Sequence, residues 1–131
     1  MNLNFLSKFV FVTGVYNFLL AVGLTIPYVT DLLQINIFDY ALSLLIAAFL
    51  IFTAAIQIFA SRDLRNYGWV IFWEGILRWM AAAVLVPYGF FGHLGLLTGV
   101  MGIGDFLIGF VFLILLPKSL GKRTSELLMG K

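Results

Sequence analysis

The stretch YGWVIFWEGILRWMAAAVLVP, residues 67–87, decides the fold: it is long and apolar enough to cross a bilayer as a helix, yet it carries Glu74 and Arg78 near its middle. About 20 helical residues span ~30 Å of hydrocarbon, and an ionisable side chain at that depth costs roughly 2.5–3.5 kcal/mol on insertion. Such groups must be paired, hydrated or used. Glu74 precedes Arg78 by four residues, the order that favours pairing across one helical turn.

Three other stretches reach the same length, at about 9–28, 40–60 and 93–116. Pro27, Pro87 and Pro117 stand at the expected exits of the first, third and fourth spans, and Ser61 to Asn66 break the second from the third. Helices joined by short connections are neighbours in space. The expected fold is therefore all-α: a polytopic antiparallel four-transmembrane-helix bundle, one domain over residues 1–131, with a basic cytoplasmic tail at 117–131. Within that tail, Thr124 to Met129 can extend as an interfacial helix.

Composition agrees with a membrane protein. The chain is 63% hydrophobic and 11% charged, against about 45–50% and 25% in soluble domains. Cys is absent, which excludes disulfides, thiolate metal sites and a Cys nucleophile. A formal charge of +2 is too small to imply a nucleic-acid partner. The basic residues lie beside the spans, where lipid headgroups account for them, so the lipid bilayer is the expected partner. The first apolar run has no small-residue cleavage site before Pro27 and reads as a span, not a cleaved signal.

Charge also sets a direction. Lys8, Arg62, Arg65, Lys118, Lys122, Arg123 and Lys131 fall at one end of this layout, and Asp31, Asp39 and His93 at the other. The positive-inside rule then places both termini in the cytoplasm. Spans one and three resemble each other: Gly14-Val15-Tyr16-Asn17 leads to Pro27-Tyr28, and Gly75-Ile76-Leu77-Arg78 leads to Pro87-Tyr88. A duplicated helical hairpin would produce this, as would chance among apolar helices.

At 1.5 Å per residue, Arg78 lies ~16 Å from Tyr67 and Asp105 ~16 Å from Leu116, one shared depth near the midplane. Asn17 reaches nearly the same level on the first span. Glu74, Arg78, Asp105 and Asn17 are therefore the candidate binding or proton-linked residues. The trio's formal charge of −1 calls for a proton or a bound cation. The competing reading is a structural ion pair that fixes helix register. Gly92, Gly95, Gly99, Gly102 and Gly109 form a small-residue stripe beside Asp105, predicted to be the tightest helix contact, within the chain or between copies. Gln57 is expected to reach water; Trp73 and Trp79 flank the charged face and are expected to pack against lipid or core, with a ring face for Arg78 as the alternative if Trp79 turns inward. His93 has no second His or Cys with which to hold a metal, and no cofactor is expected.

Gly102-Ile103-Gly104-Asp105 resembles the Gly-x-Gly-Asp motif of intramembrane aspartyl proteases such as presenilins and prepilin peptidases. That chemistry needs two carboxyls sharing a proton, and no other span here contains an Asp. In size, four-span layout, inward termini and duplicated hairpin, the chain resembles the small bacterial DoxX-like membrane proteins, with Trp73-Glu74-Gly75-Ile76-Leu77-Arg78 and Gly104-Asp105 as the residues to quote. The resemblance implies a multi-pass protein of the bacterial cytoplasmic (inner) membrane and transfers no functional residue. Three functions stay open. The first is an assembly subunit or scaffold in a homo-oligomer or larger membrane complex, because four spans of this size are expected to enclose little cavity. The second is a small proton- or cation-linked transporter or channel using Asp105 and Glu74. The third is an aspartyl-type hydrolase at residues 102–105.

Overall fold

The computed structural model describes residues 2–131, which form α1 (Leu3–Thr25), α2 (Pro27–Leu32), α3 (Tyr40–Ala60), α4 (Leu64–Phe90), α5 (Leu96–Phe110), a π-helical segment (Val111–Leu115), α6 (Leu116–Leu120) and α7 (Thr124–Leu128). No strand occurs among the described residues. Four helical runs are long and apolar enough to cross a membrane: α1, α3, α4 and the continuous Leu96–Leu120. They pack as a four-helix bundle.

Polar caps set where three of the spans begin. The side chains of Asn2, Asp39 and Asp63 accept hydrogen bonds from the backbone N–H groups of Asn4, Ala41 and Asn66, satisfying donors that a first helical turn leaves open. The first helix accordingly starts at Leu3, ahead of the apolar run that begins near residue 9. Pro27 stands at the exit of α1 as expected, whereas Pro87 and Pro117 lie within helix. Extended Ile26 ends α1, and Pro27 opens α2, where a missing N–H removes no helical bond. Pro87 lies inside α4, which runs on to Phe90. Pro117 follows the π segment, whose wider turn is closed by the Leu116 N–H on the Val111 carbonyl. A π turn next to a residue that cannot donate keeps the fourth span unbroken. The last residues are not a free tail either: α7 packs on α4, Leu127 is fully buried, and Lys122 Nζ donates to the Arg65 carbonyl at 2.9 Å.

The helices associate most extensively as two pairs, α1 with α3 and α4 with α5. Glycine permits both approaches. A Cβ on Gly14 would meet Gln57 Cβ at 3.1 Å and the Ala54 carbonyl oxygen at 3.2 Å. On α5, Gly99, Gly102 and Gly109 seat Phe90, Val86 and Trp79 of α4. The predicted stripe is thus a seam within the chain, but only in part. Gly92 and Gly95 precede α5, and Gly95 has φ +99° where it abuts the Gln34 carbonyl, a turn requirement instead of a helix contact.

Gly109→Ala is expected to destabilise the purified protein by about 1–3 kcal/mol, since overpacking a close seam forces the backbones apart. Its Cβ would press on Trp79 Nε1 at 2.8 Å and the Gly75 carbonyl oxygen at 3.1 Å. Gly104→Ala is the matched control, because nothing lies within 4 Å of its Cβ. Unfolding in detergent, followed by circular dichroism, checks the pair; equal stability of the two variants would contradict the seam.

Burial is uneven along the bundle. At the end that carries both termini, Leu6, Val10, Ala60, Leu64, Ile71, Phe72, Phe112, Leu116 and Leu127 form one cluster joining α1, α3, α4, the π segment, α6 and α7. Toward the other end, Ala21, Leu24 and Ala47 form a second cluster that joins α1 and α3 alone, with Ile35, Ile37 and Leu50 against it. The two pairs meet again where Asn36 Nδ2 donates to the His93 carbonyl at 3.0 Å and Asn36 N–H to that of Leu94 at 3.2 Å. The bundle is closed at its two ends and forked between them. Large apolar side chains such as Phe49, Phe52, Leu19, Met80 and Leu107 are each at least 60% exposed, which is the outward face a bilayer would cover.

Candidate functional site

Arg78 occupies the fork. Its Nη1 donates to Asp105 Oδ1 at 2.5 Å, and its Nη2 lies 3.2 Å from Glu74 Oε1, so α4 and α5 are joined by one guanidinium held between two carboxylates. Asp105 can reach it because Gly102 and Gly109, on neighbouring turns, let α5 approach α4. The guanidinium lies over the Phe112 ring, with Cζ 5.9 Å from the centroid. Trp79 does not serve as that ring. It stacks on Phe106 at 5.5 Å and donates Nε1 to the Phe106 carbonyl at 3.2 Å.

Gln57, expected to reach water, is fully buried. Its Nε2 donates to Glu74 Oε1, and its Oε1 accepts from Asn17 Nδ2 at 3.4 Å. Asn17 Nδ2 also reaches Thr53 Oγ1 at 3.4 Å. Side chains lean toward the N-terminus of their own helix. Gln57 is therefore carried away from the connection between α3 and α4, and Glu74 toward it, until they meet. Asn17 joins the trio only through Gln57. The whole is one polar chain from Asn17 and Thr53 through Gln57, Glu74 and Arg78 to Asp105, with a member from each spanning helix.

Above this chain the two helix pairs part to leave a cleft of about 420 Å³. Leu20, Ile46, Phe49, Leu50, Leu77, Ala81 and Met101 make its walls, Asn17, Thr53, Glu74, Arg78 and Asp105 its polar end, and Tyr16 a lip. The expectation that four short spans enclose little cavity is therefore corrected: a pocket of drug-like volume reaches the charged trio. It exists because small residues draw α4 and α5 together while α1 and α5 make little contact. Three buried atoms in its floor make no hydrogen bond: Glu74 Oε2, Arg78 Nε and Arg78 Nη2, the last touching Glu74 through charge alone. Asp105, 20% exposed, is the most open member of the trio.

The aspartyl motif has a different setting from the one its chemistry needs. The carboxyl nearest to Asp105 on another span is Glu74, and Arg78 binds both. His93 lies away from this site, against the rings of Phe38 at 4.7 Å and Tyr88 at 6.4 Å. No group of three or more His, Cys, Asp or Glu is placed to hold a metal among the described residues.

No protein-family model, curated protein or solved structure matches the chain.

Proposed function

We propose that this is an antiparallel multi-pass protein of a bacterial cytoplasmic membrane, with both termini in the cytoplasm, that works as a membrane-embedded interaction subunit. The polar chain locks the bundle, and the cleft above it receives what the subunit binds. The observation that carries this reading is a pocket with apolar walls and one polar end. Ligand sites have that composition, whereas a path for ions needs polar or hydrated groups along its length. The antiparallel layout is supported by contacts at both ends: Ser7 Oγ donates to the Ser61 carbonyl, and Ser43 Oγ to that of Leu24. The inward termini rest on the seven basic residues of that end. The likeness to DoxX-like proteins rests on size and layout.

Proton- or cation-linked transport is the second reading, and Glu74 Oε2 favours it: a buried carboxylate oxygen without a partner beside a trio of formal charge −1. Reconstitution separates the two. Purified protein in liposomes is expected to form a defined assembly and to leave an imposed pH gradient, followed with an entrapped dye, as it stands in protein-free vesicles. A gradient that collapses with the intact chain and persists with Asp105→Asn would replace the subunit by a transporter.

A further inference from the structure

We propose that the cleft binds a lipophilic monocation, a single positive charge on an aromatic or branched apolar body, with Asp105 as its counter-ion. The inference rests on the interaction-subunit reading and names the ligand class of its pocket.

Three independent features converge. Volume and walls come first: about 420 Å³ lined by Leu20, Ile46, Phe49, Leu50, Leu77 and Met101 suits an apolar body of drug size. Charge comes second. Among the residues facing the cleft, Glu74, Arg78 and Asp105 are the charged ones, two acids against one base, so the polar end carries one formal negative charge in excess. In surroundings of low dielectric constant an uncompensated charge is costly; a proton on one carboxyl removes it, and so does a monovalent cation in the cleft. An anionic ligand would double the deficit, and a neutral one would leave it.

The third feature is where the acids stand. Glu74 is 7% exposed, and its Oε2, like Arg78 Nε and Nη2, is buried without a hydrogen bond, so these atoms are not the ones a ligand reaches. Asp105 commits Oδ1 to Arg78 and remains the more open carboxylate, so it can face a cation directly while Glu74 adds its field from behind. Tyr16 and Phe49 line the same cleft and are 42% and 64% exposed. Their ring faces add the attraction that aromatic quadrupoles exert on cations. Access is lateral. The two ends of the bundle are closed by the large cluster and by the Asn36 contacts, whereas the lips at Tyr16, Phe49 and Leu77 are exposed on the surface a bilayer would cover. A ligand that enters from lipid must itself be lipid-soluble, which a delocalised or shielded cation is.

Tetraphenylphosphonium is a suitable probe. The full chain is purified into nanodiscs of zwitterionic phosphatidylcholine, and radiolabelled probe is counted as the excess over empty nanodiscs. Saturable binding is expected, weakened at least about tenfold by Asp105→Asn through loss of the counter-charge. Ala81→Phe, which fills the cleft and leaves every charge in place, is expected to remove it. Leu107→Phe, on the outer face, should leave it unchanged. Triphenylphosphine oxide, of related shape and no net charge, should fail to displace the probe. The proposal is overturned if no saturable excess appears, if Asp105→Asn that still folds binds as tightly as the parent, or if the neutral oxide competes equally. Binding that survives Asp105→Asn and disappears in Ala81→Phe would overturn the cation and keep the pocket of the interaction subunit. Binding untouched by Ala81→Phe would remove both.

Discussion

Arg78→Leu is expected to cost about 3–5 kcal/mol of stability, because removing one partner of a buried ion pair leaves the other charge uncompensated. Here it leaves two. Arg78 is 5% exposed and contacts Asp105 and Glu74, which sit on different helices, so its loss turns a joint between α4 and α5 into a repulsion. Arg78→Lys should restore little of the loss, since a compact ammonium cannot reproduce the fork that reaches two carboxylates. The informative variant combines Glu74→Leu, Arg78→Leu and Asp105→Leu. Replacing a whole buried ionic group by apolar residues is often neutral or stabilising by about 1–4 kcal/mol. Against that gain stands the cost of leaving the buried Gln57 Nε2 without Glu74, about 1–3 kcal/mol. The triple variant is therefore expected to unfold in detergent close to the parent and well after Arg78→Leu, while losing the binding described above. That outcome separates a trio kept for its chemistry from one kept for stability. Parent-like stability of the single Arg78→Leu variant would sink the account.

The next largest effect is expected from Gln57→Leu, a change that sequence reasoning would rank as harmless near a span end. Leucine fills similar space, but Glu74 Oε1 loses its amide donor and keeps only the ion pair with Arg78, and Asn17 Nδ2 loses one of its two acceptors in the same step. Each buried group left unsatisfied costs about 1–3 kcal/mol, and more when charged, so the total should reach about 3 kcal/mol. A double-mutant cycle with Asn17→Leu tests the chain as a chain. Coupling above about 0.5 kcal/mol is the expected sign of direct contact. Strict additivity of the two losses would mean that Asn17 and Gln57 act independently and that α1 is not tied to α4 through them.

The trio was legible in the sequence because its reading needed only helical arithmetic. Glu74 and Arg78 share a face at i,i+4, and equal distances from two span ends put Arg78 level with Asp105. The spans were legible because hydropathy integrates over some twenty residues and tolerates local error. What escaped was set by terms shorter than a span. The depth of Gln57, counted along the axis, misplaces its amide, because the side chain leans back toward its helix start. Phe112 could not be picked from fourteen phenylalanines as the ring under Arg78, since the π segment that begins at Val111 shifts the helical phase and carries no sequence signature. Pro87 and Pro117 did not mark the helix ends expected of them, because one is accommodated in the last turn of α4 and the other follows a π turn. The cleft depends on how two helix pairs diverge, a property of no single segment.

The order in which the polar chain is distributed along the polypeptide has a consequence for biogenesis. Between residues 9 and 25, and again between 40 and 60, there is no Asp, Glu, Lys, Arg or His, and Asn17 there bonds both Thr53 and Gln57. The first hairpin can therefore leave the insertion machinery for lipid without a charge to bury. The third span brings Glu74 and Arg78 together, a pair that is neutral on its own helix. Only the fourth carries a solitary charge, Asp105, whose insertion alone would cost roughly 2.5–3.5 kcal/mol. Its partner, Arg78, is by then already in the membrane. The chain thus releases its segments in the sequence that never strands a charge in lipid, and the fourth span is the one whose integration depends on an earlier one having arrived.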